Sequence, residues 1–508
     1  MAAATGNVFK QARLPLSYPM ASRPNVVVVV MDTARARDTV RSEHHNSVFP
    51  TLDRLAEEGT EYTRAFASAP WTLPSHASLF TGTYSSKHGA HAGHKHLDDD
   101  LPTLAEAFGA NGYETVAISN NTWISEEFGF ARGFETFKKT WQYVQADTDF
   151  GDIARTKEGR EMLRALAVRL IDGNPVINLA NAVYGRFFRK RNDDGARRTN
   201  DWFASWLADR DRDDPFFCFV NYLEPHLEYR PPQAFTEQYL PRDITYNEAM
   251  DVPQDAWGYI AGSVDLTDRE LEALHALYCG EIAYLDRRIG ELRKYLEAAG
   301  EFENTVFVVT GDHGENIGDH GFMDHQYCLY DTLLHVPLIV HGPGFERETF
   351  EEIVQLTDLA PTLLDATGVE SPELRQEAQG QSVHLDAETE LREHAIAEYM
   401  SPQPSMAALR KRVGELPDEV TRLDRSLRSI RTADEKLIRG SDGTHEFYEL
   451  YNGPSELEDL AAQRPHRVEA LEATLDDWLN EFEHASASGT VSITDSTKDR
   501  LEDLGYLQ

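Results

Sequence analysis

Asp32, Thr72, Asp312 and His313 are the residues of this chain whose types could do chemistry together. Two carboxylates and an imidazole form a mixed oxygen and nitrogen ligand set for one divalent cation. Mn²⁺, Zn²⁺, Mg²⁺ and Ca²⁺ all suit it, and the sequence does not choose among them. Thr72 adds a hydroxyl oxygen, and coordination lowers a hydroxyl pKa enough for attack near neutral pH. Thr72 also stands just before Ala77–Thr81, a stretch that reads as helical. Backbone N–H groups and the dipole at a helix start favour an anionic phosphoryl or sulfuryl group. His226 and His325 are candidates to protonate a leaving oxygen or to hydrogen-bond the transferred group. His76 either touches substrate or braces the Thr72 loop.

Each of these residues also has a plainer reading. Asp32 and Thr72 could be helix caps, Asp312-His313 a surface turn, and His226 a structural histidine. Asp319, His320 and Asp324 compete with His325 for its role. His88, His91, His94 and His96 are irregularly spaced and read as a polar loop. Asp358 reads as a helix-start residue.

The elements that must position these groups are legible as apolar runs. Val26–Met31 is short, rich in β-branched residues and ends at Asp32, the pattern of a buried parallel strand. Thr305–Thr310 precedes Asp312-His313 by one glycine, and Phe216–Tyr222 precedes Pro225-His226. Thr115–Ile118 and Val336–His341 are similar runs. Thr51–Glu58 and Thr103–Phe108 read as short helices with threonine caps, and Asp268–Ala299 as a long amphipathic helix stopped by Gly300. Strands alternating with helices predict an α/β fold with a doubly wound, mostly parallel sheet. Its sites form beyond the carboxyl ends of the strands.

Along the chain, residues 1–22 read as an N-terminal extension and 23–370 as the α/β catalytic domain. Residues 141–212 read as a helical insertion whose basic patch, Arg186–Arg198, is a solvated helix face. Glu370–Glu393 is polar and loop-like. Residues 390–484 form an α+β subdomain. Its strands are Leu427–Thr432, Lys436–Arg439 and Glu446–Leu450 in an antiparallel sheet, followed by a helix over Pro465–Phe482. Residues 485–508 are a tail.

The chain has 508 residues and a formal net charge of −37, from 86 acidic and 49 basic residues. Such a chain repels nucleic acid and anionic membranes. Acidity spread along its whole length predicts a surface built for high salt, hence a halophilic protein. Met1–Ser22 has no apolar core of a signal peptide, and no stretch approaches the ~20 apolar residues of a membrane span. Three scattered cysteines give neither a disulfide framework nor a thiolate metal site. A cytoplasmic protein without membrane insertion is the expectation, with a small-molecule or glycan ester as substrate. A homo-oligomer is compatible with all of this.

Several motifs resemble those of the sulfatase family in the alkaline phosphatase superfamily. Arg23-Pro24-Asn25, the valine run and Asp32 resemble the family's opening. Thr72-Leu73-Pro74-Ser75-His76, followed by Thr81-Gly82, resembles its Cys/Ser-x-Pro-Ser-Arg signature. Lys87-His88-Gly89, Gly112-Tyr113-Glu114-Thr115, Thr310-Gly311-Asp312-His313-Gly314-Glu315, His335-Val336-Pro337 and Asp358-Leu359-Ala360-Pro361-Thr362 match further landmarks. So does Phe447-Tyr448-Glu449-Leu450 with Asn452-Gly453-Pro454. The resemblance implies that Asp32, Asp312 and His313 bind a metal, with Thr72 as both ligand and nucleophile. It implies that His226 contacts the transferred group. It also sets His325 where many members have a lysine, and Asn120 and Thr122 near a Lys-x-His substrate pair.

The departures bear on the reaction. Sulfatases convert a Cys or Ser at the Thr72 position to formylglycine, whereas threonine carries a methyl group on Cβ and cannot yield that aldehyde. The signature arginine is His76, and the second Asp of the usual Asp-Asp pair is Thr33. A sulfo-threonine lacks the aldehyde exit of a formylglycine hydrate, while a phospho-threonine can be opened by in-line water or an alcohol. The expectation is a metal-dependent hydrolase that cleaves phosphate or sulfate esters through a covalent Thr72 intermediate, tilted toward phosphate mono- or diesters. The alternatives are a phosphoglycerol- or phosphoethanolamine-type transferase acting on a glycan, a non-catalytic anion-binding homologue, and a metal-dependent phosphosugar mutase.

Overall fold

Seven buried residues, Asn25–Met31, form β1 in the interior of the main sheet. Valine side chains, stiff at χ1, suit a strand covered on both faces. The structure is a computed structural model. It describes residues 23–40, 49–140, 193–211, 213–385, 387, 391–450 and 456–485. The extension 1–22, most of the expected insertion (141–192) and nearly all of the tail (486–508) lie outside the described residues.

In chain order the other strands of this sheet are β2 (Thr60–Tyr62), β3 (Glu114–Ser119), β4 (Thr136–Lys139) and β5 (Phe216–Tyr222). They continue with β6 (Thr305–Gly311), β7 (Leu338–His341) and β8 (Glu348–Phe350). The order across the sheet is β8-β2-β7-β6-β1-β5-β3-β4. The fold is thus α/β with a large, mostly parallel sheet, and β7 alone runs against its neighbours. Connectivity explains the reversal. Between Gly311 and Leu338 there is no crossover helix: the segment holds a two-residue antiparallel ladder (Asn316–Ile317 with Met323–Asp324), a 3-10 turn and the short Asp331–Leu334 turn of helix. The chain therefore stays at the carboxyl edge and must re-enter the sheet antiparallel.

The register of the central strands decides where the chemistry gathers. Met31 pairs with both Tyr222 of β5 and Gly311 of β6, so three parallel strands end level. Asp32, Asp312 and the segment leading to His226 leave the sheet at one edge. Gly311 is required there, because a Cβ would lie 2.6 Å from the Ala34 carbonyl oxygen of the neighbouring loop.

Among the helices that pack around the two larger sheets or link them are α1 (Pro50–Glu58), α2 (Thr72–Thr81), α3 (Leu104–Ala110), α4 (Ala196–Asp209), α5 (Asp268–Ala299), α6 (Leu359–Thr367), α7 (Pro372–Glu377) and α8 (Pro465–Leu479). Thr103 and Thr267 cap α3 and α5 through reciprocal bonds with Glu106 and Glu270, and Gly300 closes α5 in the left-handed conformation. The α1 start differs from the expected threonine cap. Pro50 opens it, and the N–H groups of Thr51 and Leu52 donate to Asp286 Oδ1 of α5 at 2.9 and 2.8 Å. The cap is supplied by tertiary structure. The stretch Glu370–Glu393 also contains α7, which its polar composition concealed.

The second sheet is antiparallel, in the order β9 (Ala395–Tyr399), β10 (Leu427–Arg431), β11 (Glu435–Gly440) and β12 (His445–Glu449). The first of these strands was not expected. It carries a fully buried Glu398, which breaks the apolar pattern and is satisfied by Ser86 N–H and Arg428 at 2.7 and 2.8 Å. Helix α8 buries Val468, Leu471 and Leu475 against Ile396, Ile430, Leu437 and Phe447.

Lys436 of β11 fastens this sheet to the segment between β6 and β7. Its ammonium, wholly buried, lies 2.7 Å from Asp331 and 2.6 Å from Glu456. Burial would raise the Asp331 carboxyl, but Lys436 and Arg431 outweigh it and hold the group well below its usual range. This contribution to stability is complete above about pH 4 and is lost as acid protonates the carboxylate. Lys436→Met leaves the buried Glu456 carboxylate without a cation and Asp331 with Arg431 alone, so a loss of about 3–5 kcal/mol is expected. Denaturant unfolding at neutral pH measures it.

Candidate active site

Asp32 and Asp312 each extend a buried strand by one residue, so their carboxylates are fixed by the sheet itself. Both are fully buried, as are His313 and Thr72. Asp312 Oδ1 accepts from the N–H groups of Thr33 (3.1 Å) and His313 (2.9 Å), which leaves Oδ2 without a hydrogen-bond partner. Asp32 Oδ2 accepts from Asn121 Nδ2 at 2.5 Å, and Asp32 Oδ1 has no partner. His313 Nδ1 is bonded to the Gly314 carbonyl at 2.9 Å. A carbonyl only accepts, so Nδ1 carries the proton and the neutral ring turns the Nε2 lone pair toward the carboxylates.

His313 Nε2 stands 3.4 Å from Asp312 Oδ2 and 3.8 Å from Asp32 Oδ1. The two unpartnered oxygens and the imidazole nitrogen thus converge on one point. Asp32, Asp312 and His313 each offer a ligating atom within 4.8 Å of the others. Leaving one oxygen of each carboxylate without a partner in a dry interior is costly, and a divalent cation is the natural complement of this donor set. Burial pushes the Asp32 carboxyl well above its usual range, with Asp312 adding to the effect, and burial raises Asp312 to about 7. Burial, then His325, holds the His313 imidazole well below its usual value.

Thr72 is the first residue of α2 and follows Trp71, whose backbone is extended. Its Oγ1 lies 3.3 Å from His313 Nε2 and 3.5 Å from Asn121 Nδ2. The N–H groups of the first helical turn have no intrahelical acceptor and surround the hydroxyl with positive potential. Two side chains of α2 lock this position. Ser75 Oγ donates to the Asp312 carbonyl at 2.6 Å, and His76 Nδ1 bonds the Thr72 carbonyl at 2.9 Å. His76 is fully buried, its Nε2 lies 3.5 Å from Asn221 Nδ2, and burial lowers it to about 4. It braces the Thr72 turn as a neutral ring.

The His325 ring is tilted against His313, with centroids 4.6 Å apart, and the His226 ring centroid lies 5.2 Å from that of His325. Burial, then His325, lowers His226 to about 4. Burial alone would depress His325 too. Asp324 and Glu315 outweigh it and raise the imidazole well above its usual value. Of the residues competing with His325, Asp324 contacts it directly. Asp319 is paired with Arg35 and Arg37, and His320 stacks on Tyr330. In the histidine cluster, His88 bonds Ser78 of α2 at 3.1 Å, while His94 and His96 share Asp98. Asp358 precedes α6 and pairs with Arg392.

The loop after β3 is where the expected substrate pair and the geometry part. Asn120 Oδ1 accepts from Thr140 and Thr199, away from the carboxylates, and Thr122 Oγ1 is buried without a partner. The residue between them, Asn121, reaches both Asp32 and Thr72. Its Oδ1 accepts from the Trp123 N–H at 2.9 Å, and Ser119 Oγ donates to the Asn121 carbonyl at 2.9 Å. This Asx turn aims the amide into the site. An Asn two residues past a strand end was the available sequence signal, with Asn120 beside it as a competing choice. Glu315 was likewise outside the expected site set, and Asp324 stood there only as an alternative to His325.

Comparisons with known proteins agree with this architecture. The family described as Sulfatase matches residues 24–369. An arylsulfatase of Clostridium perfringens is 26% identical over 382 residues, covering 69% of this chain and 76% of that protein. Arylsulfatase K of Homo sapiens is 24% identical over 500 residues, covering 92% of this chain and 84% of its own. Among solved structures, the phosphonate monoester hydrolase of Agrobacterium radiobacter superimposes with a TM-score of 0.67 at 21% identity, covering 90% of this chain and 96% of that one. A 2-O GAG sulfatase gives 0.64 at 18% identity, covering 90% and 92%. With the family match spanning most of the chain and the strand-edge carboxylates in place, this protein belongs to the sulfatase family of ester hydrolases.

Proposed function

We propose that the protein is a divalent-metal-dependent hydrolase of phosphate mono- or diesters, with Thr72 as the nucleophile. The observation that carries this reading is the threonine hydroxyl itself, set 3.3 Å from His313 Nε2 and beside two carboxylate oxygens that lack partners. Asp32, Asp312, His313 and Thr72 would hold the ion, which supplies positive charge that acidifies the hydroxyl and neutralises the substrate oxygens.

The chain's own groups do the rest. Thr72 gives up its hydroxyl proton and its Oγ forms a bond to phosphorus as the bond to the leaving oxygen breaks, and the leaving oxygen takes up a proton in exchange. Water then attacks the phospho-threonine in line and restores the hydroxyl, releasing phosphate or its monoester. The helix N-terminus and the Asn121 amide hydrogen-bond the non-bridging oxygens. His226 and His325 stand on the leaving-group side in this reading. A methyl-bearing Cβ favours phosphorus over sulfur, because no aldehyde can form to expel sulfate. The family fold carries both chemistries, in a 2-O GAG sulfatase and in a phosphonate monoester hydrolase.

A panel of nitrophenyl phosphate, phosphodiester and sulfate esters, assayed in high salt with each candidate ion, tests the substrate class. A phosphate monoester or diester is expected to turn over fastest, and intact mass after quenching should reveal a phosphoryl adduct on Thr72. A sulfate ester that turns over fastest with no phosphoryl adduct would refute the phosphorus assignment. Turnover that accelerates with an added alcohol acceptor would mark a transferase instead. Asn121→Ala is expected to cost about 10–100-fold in turnover through loss of the bond that orients Asp32. Steady-state kinetics beside a thermal melt separate this from unfolding.

A further inference from the structure

Lys95 stands at the turn of a tight loop packed against the segment after β3. His91 and His94 exchange backbone hydrogen bonds at 2.9 Å, and the His96 N–H donates to the His94 carbonyl at 3.0 Å. Lys95 is thus the central residue of a three-residue turn. One carboxylate holds both of its neighbours: His94 Nε2 and His96 Nδ1 lie 2.9 and 3.0 Å from Asp98. The Leu97 N–H donates to the Phe128 carbonyl at 3.0 Å, which docks the loop. With its flanks tied to Asp98, the Lys95 side chain turns to the segment after β3. Its ammonium stands 5.2 Å from the centre of the Trp123 ring.

Trp123 backs the wall of the site. Its N–H donates to Asn121 Oδ1, and Asn121 Nδ2 lies 3.5 Å from Thr72 Oγ1. Its buried ring meets that of Trp71, the residue before Thr72, with centroids 5.6 Å apart. Trp123 therefore links the Lys95 ammonium to the Thr72 hydroxyl twice, by way of Asn121 and by way of Trp71.

The ammonium has no counter-ion among the described residues. Lys87 and Lys139, which are likewise covered, pair with Glu377 and Glu127 at 2.9 and 2.8 Å. A tryptophan face attracts a cation but brings no charge to balance it, and burial lowers the Lys95 ammonium to about 8. The cations nearer the carboxylates are already engaged. Arg35 is tied to Asp38 and Asp319, and His325 to Asp324 and Glu315. In a chain of net charge −37, a covered ammonium without a carboxylate marks a place for an anion from outside.

In an in-line displacement Thr72 and the leaving oxygen take opposite apical places, so the Asn121 wall faces the groups that stay on phosphorus. Trp123 stands between Lys95 and the reacting atoms, which suits the ammonium to a charge several bonds from phosphorus. We propose that Lys95 is a specificity residue that binds an anionic group, a carboxylate or a second phosphate, on the arm retained by a phosphodiester substrate. The proposal rests on the phosphoesterase reading of Thr72 for the phosphorus, and on the Lys95 and Trp123 geometry for the selectivity.

The test pairs two nitrophenyl phosphodiesters that differ in the retained arm, one ethyl and one carboxyethyl. With the full chain and Mn²⁺, the carboxylated diester is expected to show a KM about 10–100-fold lower, the worth of a charge-assisted hydrogen bond in a covered place. Lys95→Met should erase that preference through KM, and Lys95→Arg should keep most of it. A wild type that treats the two diesters alike would overturn the proposal. An equal rise of both KM values in Lys95→Met would do the same, leaving Lys95 as packing for Trp123. A preference seen only with the carboxylate on the nitrophenyl ring would move Lys95 to the leaving-group side and overturn the retained-arm assignment. Calorimetric titration with ethyl phosphate and carboxyethyl phosphate needs no turnover. If neither diester is cleaved, tighter binding of carboxyethyl phosphate that Lys95→Met removes would uphold the Lys95 site and sink the phosphodiesterase reading. Equal binding of the two would overturn both.

Discussion

Thr72→Ala abolishes ester hydrolysis, with a fall of about 10⁴-fold or more, while Thr72→Ser keeps most of the activity. The size follows from what is removed. Without a nucleophile the covalent route closes, and only binding and electrostatic stabilisation remain to aid direct attack by water. The alanine side chain fits the space, since the threonine hydroxyl makes only the contacts at 3.3 and 3.5 Å with His313 and Asn121. The helix start is held independently by Ser75 and His76. Folding should therefore survive, and circular dichroism should match the wild type. Single-turnover kinetics with a phosphate ester make the measurement. An alanine variant that turns over at the wild-type rate places the nucleophile elsewhere.

The second large effect concerns stability and metal together. Protein stripped by chelator should melt earlier than protein given Mn²⁺. At free ion about 1,000 times the dissociation constant, the gain is about 4 kcal/mol. The sign comes from the site. Stripped protein buries Asp32 Oδ1 and Asp312 Oδ2 with no partners, a cost that the ion removes. Asp312→Asn should abolish the ion-dependent increment and make the stripped form more stable than stripped wild type, because a buried charge disappears. Thermal melts of both proteins, with and without Mn²⁺, provide all four values. An equal Mn²⁺ increment in both would show that the ion binds away from Asp312.

How much of this was legible in sequence can be followed at particular residues. Asp32 and Asp312 could be assigned to a common sheet edge because each adjoins a continuous apolar run. The long helix ending at Gly300 was equally plain, since its apolar spacing and its left-handed stop are local properties. The loop after β3 was not. Asn120, Asn121 and Thr122 are all polar and adjacent, and only the Asx turn fixes which one looks at Asp32. Strand β9 escaped because its buried Glu398 is paid for by Arg428 and Ser86, both distant in sequence.

By itself, the sequence determined the α/β architecture, the family motifs and the residue types that converge on Thr72. These depend on runs of apolar side chains and on residues next to one another in the chain. Tertiary structure decided that β7 returns antiparallel, that Asp286 caps α1, that Asn121 reaches the carboxylates, and that Glu315 meets Asp324 and His325. Each of those depends on a partner brought close by folding, and no local pattern of apolar and polar residues encodes which partner that will be.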